Sequence, residues 1–178
     1  MKDSILTDRL ELRPLGVDSM TALYEGRFEE FARAEQVGLP EGHWDFLEPG
    51  HAWIPPRIRR VAAVPGIALW SNRLVIRRED GMLVANAGFH EPPGMHPRDD
   101  EYPGIVEFGY GVAPAFRRMG YAYEASVGLI EWARTERDVK YFQLSTAPSN
   151  LASKGLIEKL GFEPDARYPY RFIRRFED

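Results

Sequence analysis

In this 178-residue chain, the run Val112-Ala113-Pro114-Ala115-Phe116-Arg117-Arg118-Met119-Gly120-Tyr121-Ala122 points most directly at chemistry. A strand ends, a proline-containing turn follows, and the turn opens a helix. Arg117, Gly120 and Ala122 fall at an Arg-x-x-Gly-x-Ala spacing. The first N–H groups of a helix lack intrahelical acceptors and sit at the positive end of its dipole, so an anion placed there is held by several amides at once. Gly120 lets a ligand approach the backbone where a β-carbon would hinder it, and Ala122 keeps the first helical turn thin. The amides of Met119 and Tyr121 lie inside the same bend. Arg117 and Arg118 add guanidinium charge suited to phosphate. The alternative is an ordinary helix start flanked by two solvated arginines. No Gly-Lys-Ser/Thr follows, and no second and third glycine stand at dinucleotide-fold spacing, so neither a P-loop nor a dinucleotide fold is supported.

Composition narrows the chemistry. The chain has no cysteine, which removes disulfides, thiolate metal sites and a cysteine acyl intermediate. No metal site is expected. Lys+Arg 23 against Asp+Glu 27 leaves a net charge of −4, the wrong sign for general nucleic-acid binding. No apolar run approaches the roughly 20 residues that cross a bilayer, and the first residues lack a signal-peptide core. A cytoplasmic protein, one domain over residues 1–178, is expected, with a homodimer as the base-rate oligomer.

The elements that must position the turn follow from periodicity. Leu10 and Leu12 alternate with charged neighbours up to Pro14, a short strand. Asp18 is placed as the N-cap of a helix carrying Met20, Leu23, Tyr24 and Phe28. Residues 37–52 form a loop holding Trp44 and Phe46, and 55–64 a second helix ending before Pro65. Residues 68–77 and 82–89 form a hairpin about Glu79-Asp80-Gly81. Residues 91–104, with four prolines, form a long exposed loop. A strand covers 105–112, and an amphipathic helix 120–136 with the stripe Ala122, Ala125, Ser126, Leu129, Ile130 and Ala133. A strand 141–146, a helix 150–160 ended by Gly161 and a last strand within 167–176 complete a mixed α/β chain.

The motifs resemble a known family. Arg117-x-x-Gly120-x-Ala122 resembles the acyl-CoA pyrophosphate motif of the GNAT N-acetyltransferases. Thr7-Asp8-Arg9-Leu10-Glu11-Leu12-Arg13-Pro14 resembles the opening strand of the branch that includes the ribosomal-protein alanine acetyltransferases. Gly88-Phe89-His90-Glu91-Pro92-Pro93, Val106–Pro114, Gly120–Ala125, Pro148–Ser153 and Glu158–Phe162 are similar to later family blocks, in family order. The resemblance implies a mostly antiparallel α/β sheet splayed between strands 105–112 and 141–146 and flanked by helices. The pantetheine arm of acetyl-CoA would lie in that gap, against backbone near Tyr110 and Val112, with Asn150 helping to hold it. Two positions depart from the family pattern. Arg118 stands where a glycine is usual, and Ile157 stands where many relatives carry the tyrosine that protonates the leaving thiolate. In the ribosomal-protein branch the serine matching Ser153 is the candidate instead.

Acetyl transfer to an amine requires removal of an ammonium proton, donors aimed at the oxyanion, and a partner for the departing thiolate. Without cysteine the route is direct attack in a ternary complex. The Val112 N–H is the candidate oxyanion donor. Candidate bases are Glu107, His90 and Glu91, with a relayed water as another route; an imidazole titrates near neutrality. Glu107 is one residue out of step with the spacing at which some family members place a catalytic acid, and one residue turns a strand side chain to the other face. Trp44, Trp53, Tyr102, Tyr168 and Tyr170 either shape the acceptor pocket or pack locally. Asp99-Asp100-Glu101 either attracts a cationic amine or is a solvated loop tip. The acceptor, a protein amino terminus, a lysine or a small amine, is left open. A non-catalytic acyl-CoA sensor is the competing function.

Overall fold

The computed structural model describes residues 3–42, 44–64 and 66–177. Among these residues eight strands form one sheet: β1 (Ile5–Leu6), β2 (Leu10–Pro14), β3 (Asn72–Arg77), β4 (Met82–Phe89), β5 (Val106–Val112), β6 (Tyr141–Ser145), β7 (Glu163–Asp165) and β8 (Tyr168–Arg175). Their spatial order is β1-β2-β3-β4-β5-β6-β8-β7. Every neighbouring pair is antiparallel except β5 and β6, which are joined through the crossover helix α4 (Tyr121–Arg137). A parallel pair requires such a crossover.

The hydrophobic alternation explains how the sheet is covered. Leu10, Leu12, Val75, Ala85, Ala87, Phe89, Val106 and Phe108 project to one face, where they bury Ala125, Leu129, Ile130 and Ala133 of α4. Helix α5 (Leu151–Lys159) joins the same layer through Ile157. Leu74, Ile76 and Leu83 project to the opposite face, against α1 (Val17–Tyr24), α2 (Phe28–Glu35) and α3 (Ile54–Ala63). Two apolar layers therefore sandwich a sheet buried on both sides. Arg73 is completely buried on the α4 side, where its guanidinium lies over Trp132 and donates to the carbonyls of Asp3, Leu12 and Leu69.

Several expectations need correction. The first helix is two helices, because Gly26 adopts φ 73 and ends α1 before Phe28 opens α2. Gly16, not Asp18, is the N-cap of α1; Asp18 lies in the first turn, where its charge suits the dipole. Residues 67–70 form a 3₁₀ turn, so the hairpin strand begins at Asn72. Helix 55–64 is present as α3, while Pro65 lies outside the described residues. In α4, Ala122 sits at the rim rather than in the buried stripe, which gains Tyr121 and Gly128. Gly128 is required there because a β-carbon would come 2.9 Å from Thr7 Cγ2. The C-terminal segment folds as a hairpin, adding β7.

The loop 91–104 is not an exposed excursion. His96 and Arg98 are buried. Arg98 is gripped by Glu101 at 2.9 Å and Asp165 at 2.5 Å, and its guanidinium lies near the rings of Tyr102 and Tyr168. Asp99 is no solvated tip either, since its Oδ1 accepts from the amides of Gly94 and Gly104. Prolines prevent regular structure but do not prevent a loop from folding inward around paired charges.

Candidate active site

Strands β5 and β6 pair only at Val106–Phe142 and Glu107–Gln143, then diverge. The other edge of β5 stays bonded to β4: the His90 amide donates to the Glu107 carbonyl at 2.8 Å, and the Ala113 amide to the Val84 carbonyl at 3.0 Å. Antiparallel bonding alternates, so residues 107, 109, 111 and 113 turn their backbone groups to β4. Tyr110 and Val112 turn theirs the other way, into the gap. The Val112 carbonyl accepts from Arg117 Nε at 3.2 Å, which braces the turn beyond it. The Tyr110 N–H and C=O and the Val112 N–H make no hydrogen bond among the described residues.

The gap opens onto the turn before α4. Glu124 donates from its amide to the Gly120 carbonyl, the first helical bond; the amides from Arg118 to Tyr123 make none among the described residues. Gly120 has φ 85 and Arg118 φ 65, so both occupy the left-handed region, where a glycine is at ease and an arginine is strained. This row of unpaired amides suits a diphosphate. Arg117 and Arg118 are exposed beside it.

The turn is held from behind by the β1–β2 connection. Glu124 accepts from Thr7 Oγ1 at 2.6 Å and from the Arg9 amide at 2.8 Å, and pairs with Arg9 Nε at 2.7 Å. Arg9 also donates to the Met119 carbonyl and lies over the Tyr121 ring. Burial works against the Glu124 charge, but the Thr7 and Arg9 bonds outweigh it and hold the carboxyl below its ordinary range.

Side chains of β5 divide between two faces. Tyr110 points toward α5, where its hydroxyl lies 2.9 Å from Ser153 Oγ. This pair spans the gap between strand and helix. Burial pushes the Tyr110 phenol upward. Ile157 is completely buried in the core. Asn150 caps α5 by accepting from the Ser153 amide at 3.1 Å. Its carbonyl oxygen therefore fixes the position of Ser153.

Glu107, Gly109 and Gly111 face the α1–α3 side. The two glycines help floor a cleft of about 300 Å³ that is also lined by Trp53, Arg57, Asn72, Asn86 and His90. A β-carbon on Gly111 would meet Asn86 Oδ1 at 2.8 Å, and one on Gly109 would lie 3.4 Å from His90 Nε2. The other ring nitrogen, Nδ1, faces Glu107 Oε2 at 3.7 Å. Glu107 also accepts from Gln143 Nε2 at 2.8 Å and lies 3.4 Å from His96 Nε2. The Arg98 amide donates to His96 Nδ1, so that ring carries its proton on Nε2, aimed at Glu107. Gln143 is oriented in turn by Arg98 at 3.0 Å. Burial opposes ionisation of Glu107, yet the bonds from His90 and Ser145 and the nearby imidazoles win, leaving its pKa at about 2.

The structure thus brings His90 and Glu107 together on one side of β5 and Tyr110 and Ser153 on the other, with the turn 117–122 beyond the strand end. Glu91 is set apart, in an ion pair with Arg60. Of the five aromatics read from loop-like segments, Trp53 lines the cleft; Trp44 is buried in the α1–α3 core, Tyr102 and Tyr168 flank Arg98, and Tyr170 lies exposed on β8 beside Tyr168. Sequence reasoning missed His96, Gln143, Arg57, Asn72 and Asn86. Gln143, Asn72 and Asn86 left a usable signal, as polar residues within predicted strands.

Residues 9–163 match the family model described as an acetyltransferase (GNAT) domain. The chain belongs to the GNAT acetyltransferase family. It is an acyltransferase, and the family uses acetyl-CoA. Over 160 residues it is 26% identical to YjdG of Bacillus subtilis (strain 168), an uncharacterized N-acetyltransferase, covering 88% of this chain and 87% of that one. A putative ribosomal-protein-serine acetyltransferase from Vibrio cholerae superposes with a TM-score of 0.62 at 20% identity, covering 97% of each chain. RimL, a ribosomal L7/L12 α-N-protein acetyltransferase in complex with coenzyme A, superposes with a TM-score of 0.63 at 15% identity, covering 97% of this chain and 98% of that one. At these identities the solved structures speak for the shared fold. Among the described residues no group of acidic or histidine side chains could hold a metal, and no helix is long and apolar enough to cross a membrane.

Proposed function

We propose that this chain is an acetyl-CoA-dependent N-acetyltransferase acting on a primary amine by direct attack in a ternary complex. The observation that carries the reading is two sets of unpaired backbone groups, those of Tyr110 with the Val112 N–H and, beyond the turn, the amides of 118–123. A strand-like arm ending in a diphosphate fits these two sets. Arg117, Arg118, Met119, Gly120, Tyr121 and Ala122 would hold the diphosphate, Tyr110 and Val112 the arm, and Asn150 the helix beside it. When bound, acetyl-CoA supplies an activated acetyl group to the attacking amine and releases a thiol.

The residues divide the remaining work by face. His90 Nε2 takes the amine proton in the cleft. Glu107 remains a carboxylate throughout the neutral range and is too weak a base to take that proton. It instead orients the His90 ring and stabilises the imidazolium. His96 and Gln143 fix Glu107 for that role. The Val112 N–H donates to the oxygen on which negative charge grows. On the opposite face the Tyr110–Ser153 hydroxyl pair delivers a proton toward the departing sulfur, replacing the tyrosine that Ile157 displaces.

The test is thiol release from acetyl-CoA with a panel of small amines, lysine peptides and protein amino termini; RimL's acceptor makes the last a natural member. Amine-dependent release that falls about 10²-fold or more in His90→Ala supports the assignment. Saturable acetyl-CoA binding without release from any acceptor would make the chain a sensor instead.

A further inference from the structure

The acceptor cleft contains a cation without a full set of partners. Arg57, on α3, lines it beside Trp53, Asn72 and Asn86. Its Nη2 donates to the His90 carbonyl at 2.7 Å, while Nη1 is shielded from solvent and has no hydrogen-bond partner among the described residues. Burial lowers the Arg57 pKa and Glu91 partly offsets this, but a guanidinium starting so high stays charged. Glu91 bonds to Arg60 through Oε1; its Oε2 is buried and makes no hydrogen bond to Arg57 among the described residues, although its charge acts on the guanidinium. A buried donor left unpaired costs free energy, and a charged one more. Arg57 also lines the cleft wall, where a guanidinium is complementary to a ligand oxygen.

We propose, resting on the acetyltransferase reading, that the acceptor is a small amine carrying an oxyanion close to its amino group, with Arg57 binding the oxyanion. The cleft has opposite charges meeting at one residue. Arg57 holds His90 through its carbonyl, and Glu107 faces the His90 ring from the other side. An ammonium drawn toward the His90–Glu107 pair would leave its oxyanion beside Arg57 if the two groups are a few bonds apart. An α-amino carboxylate has that dimension, as does the phosphate ester of a short amino alcohol. The cleft volume of about 300 Å³ admits a small molecule of this kind. Asn72 and Asn86, whose side chains bond at 3.4 Å, add neutral polar groups for the rest of the acceptor.

The experiment compares matched acceptors on the whole chain: the free L-amino acids against their α-amides, and O-phosphoethanolamine against ethanolamine. Thiol release gives kcat/KM, and thermal shift with coenzyme A present gives binding without turnover. A preference of about ten-fold or more for the carboxylates identifies amino acids as the class, and a preference for O-phosphoethanolamine identifies phosphate esters. Arg57→Met should lower the anionic member of the pair and erase the preference, and Arg57→Lys should restore part of it. Merely disturbing His90 would lower both members equally. Release from neutral amines as fast as from anionic ones, or a preference untouched in Arg57→Met, overturns the oxyanion proposal and leaves the acetyltransferase intact. No release with any amine or protein acceptor defeats the acetyltransferase reading itself.

Discussion

Two residues show how the backbone and the chemistry are tied. Arg118 holds φ 65 without the freedom of glycine. Arg118→Gly should therefore raise stability by about 0.5–1 kcal/mol in thermal unfolding, while weakening acetyl-CoA binding through the lost charge. Unchanged stability would mean the surroundings already compensate the strain. Glu107, by contrast, was legible as a candidate but not in its surroundings. Sequence placed it on the right strand; the bonds from His90 and Ser145 that hold the carboxyl low come from other elements and could not be read from its own strand. His96 lay in a proline-rich loop whose folding depends on Arg98 finding Asp165 and Gln143, contacts between residues far apart in the chain.

At the scale of elements, periodic segments were the readable part. Strands β3, β4 and β5 and helix α4 follow from alternation and helical spacing, because each buries one or both faces against a continuous layer. The break between α1 and α2, the 3₁₀ turn at 67–70 and strand β7 were not legible. Each depends on a local turn or a pairing partner rather than on a periodic pattern. Two tests belong here. A β-carbon at Gly88 would come 2.1 Å from the Ser71 carbonyl, backbone that cannot swing aside. Gly88→Ala should therefore destabilise by about 3 kcal/mol or more in chemical denaturation. Glu124 ties β1–β2 to the start of α4 by three bonds, and Glu124→Ala should cost about 1–3 kcal/mol. Because that tether braces the turn proposed to hold the diphosphate, the same variant should also raise KM for acetyl-CoA more than it lowers kcat.

For the molecule as a whole, the splay of one sheet organises both sides of the proposed reaction. The divergence after Glu107 and Gln143 leaves the gap, and the alternation of β5 sends Tyr110 to one face and Glu107 to the other. The network at that branching point also makes stability depend on pH. The Glu107 pKa falls from 4.5 to about 2 on folding. Its contribution is thus complete above pH 4.5 and is lost as the pH falls through about 2. Glu107→Gln should melt below the native chain at pH 6, and the difference should shrink as the pH is lowered from 4.5 toward 2. A constant difference across that range would show that the carboxylate charge is not what the network stabilises.

The most direct measurement of the central claim is an amide NMR titration of the full chain with acetyl-CoA. Resonances of residues 118–123, together with Tyr110 and Val112, should shift saturably and in concert. Saturable shifts confined to other amides, or none at all, would contradict a diphosphate held at this bend and a thioester lying between β5 and β6.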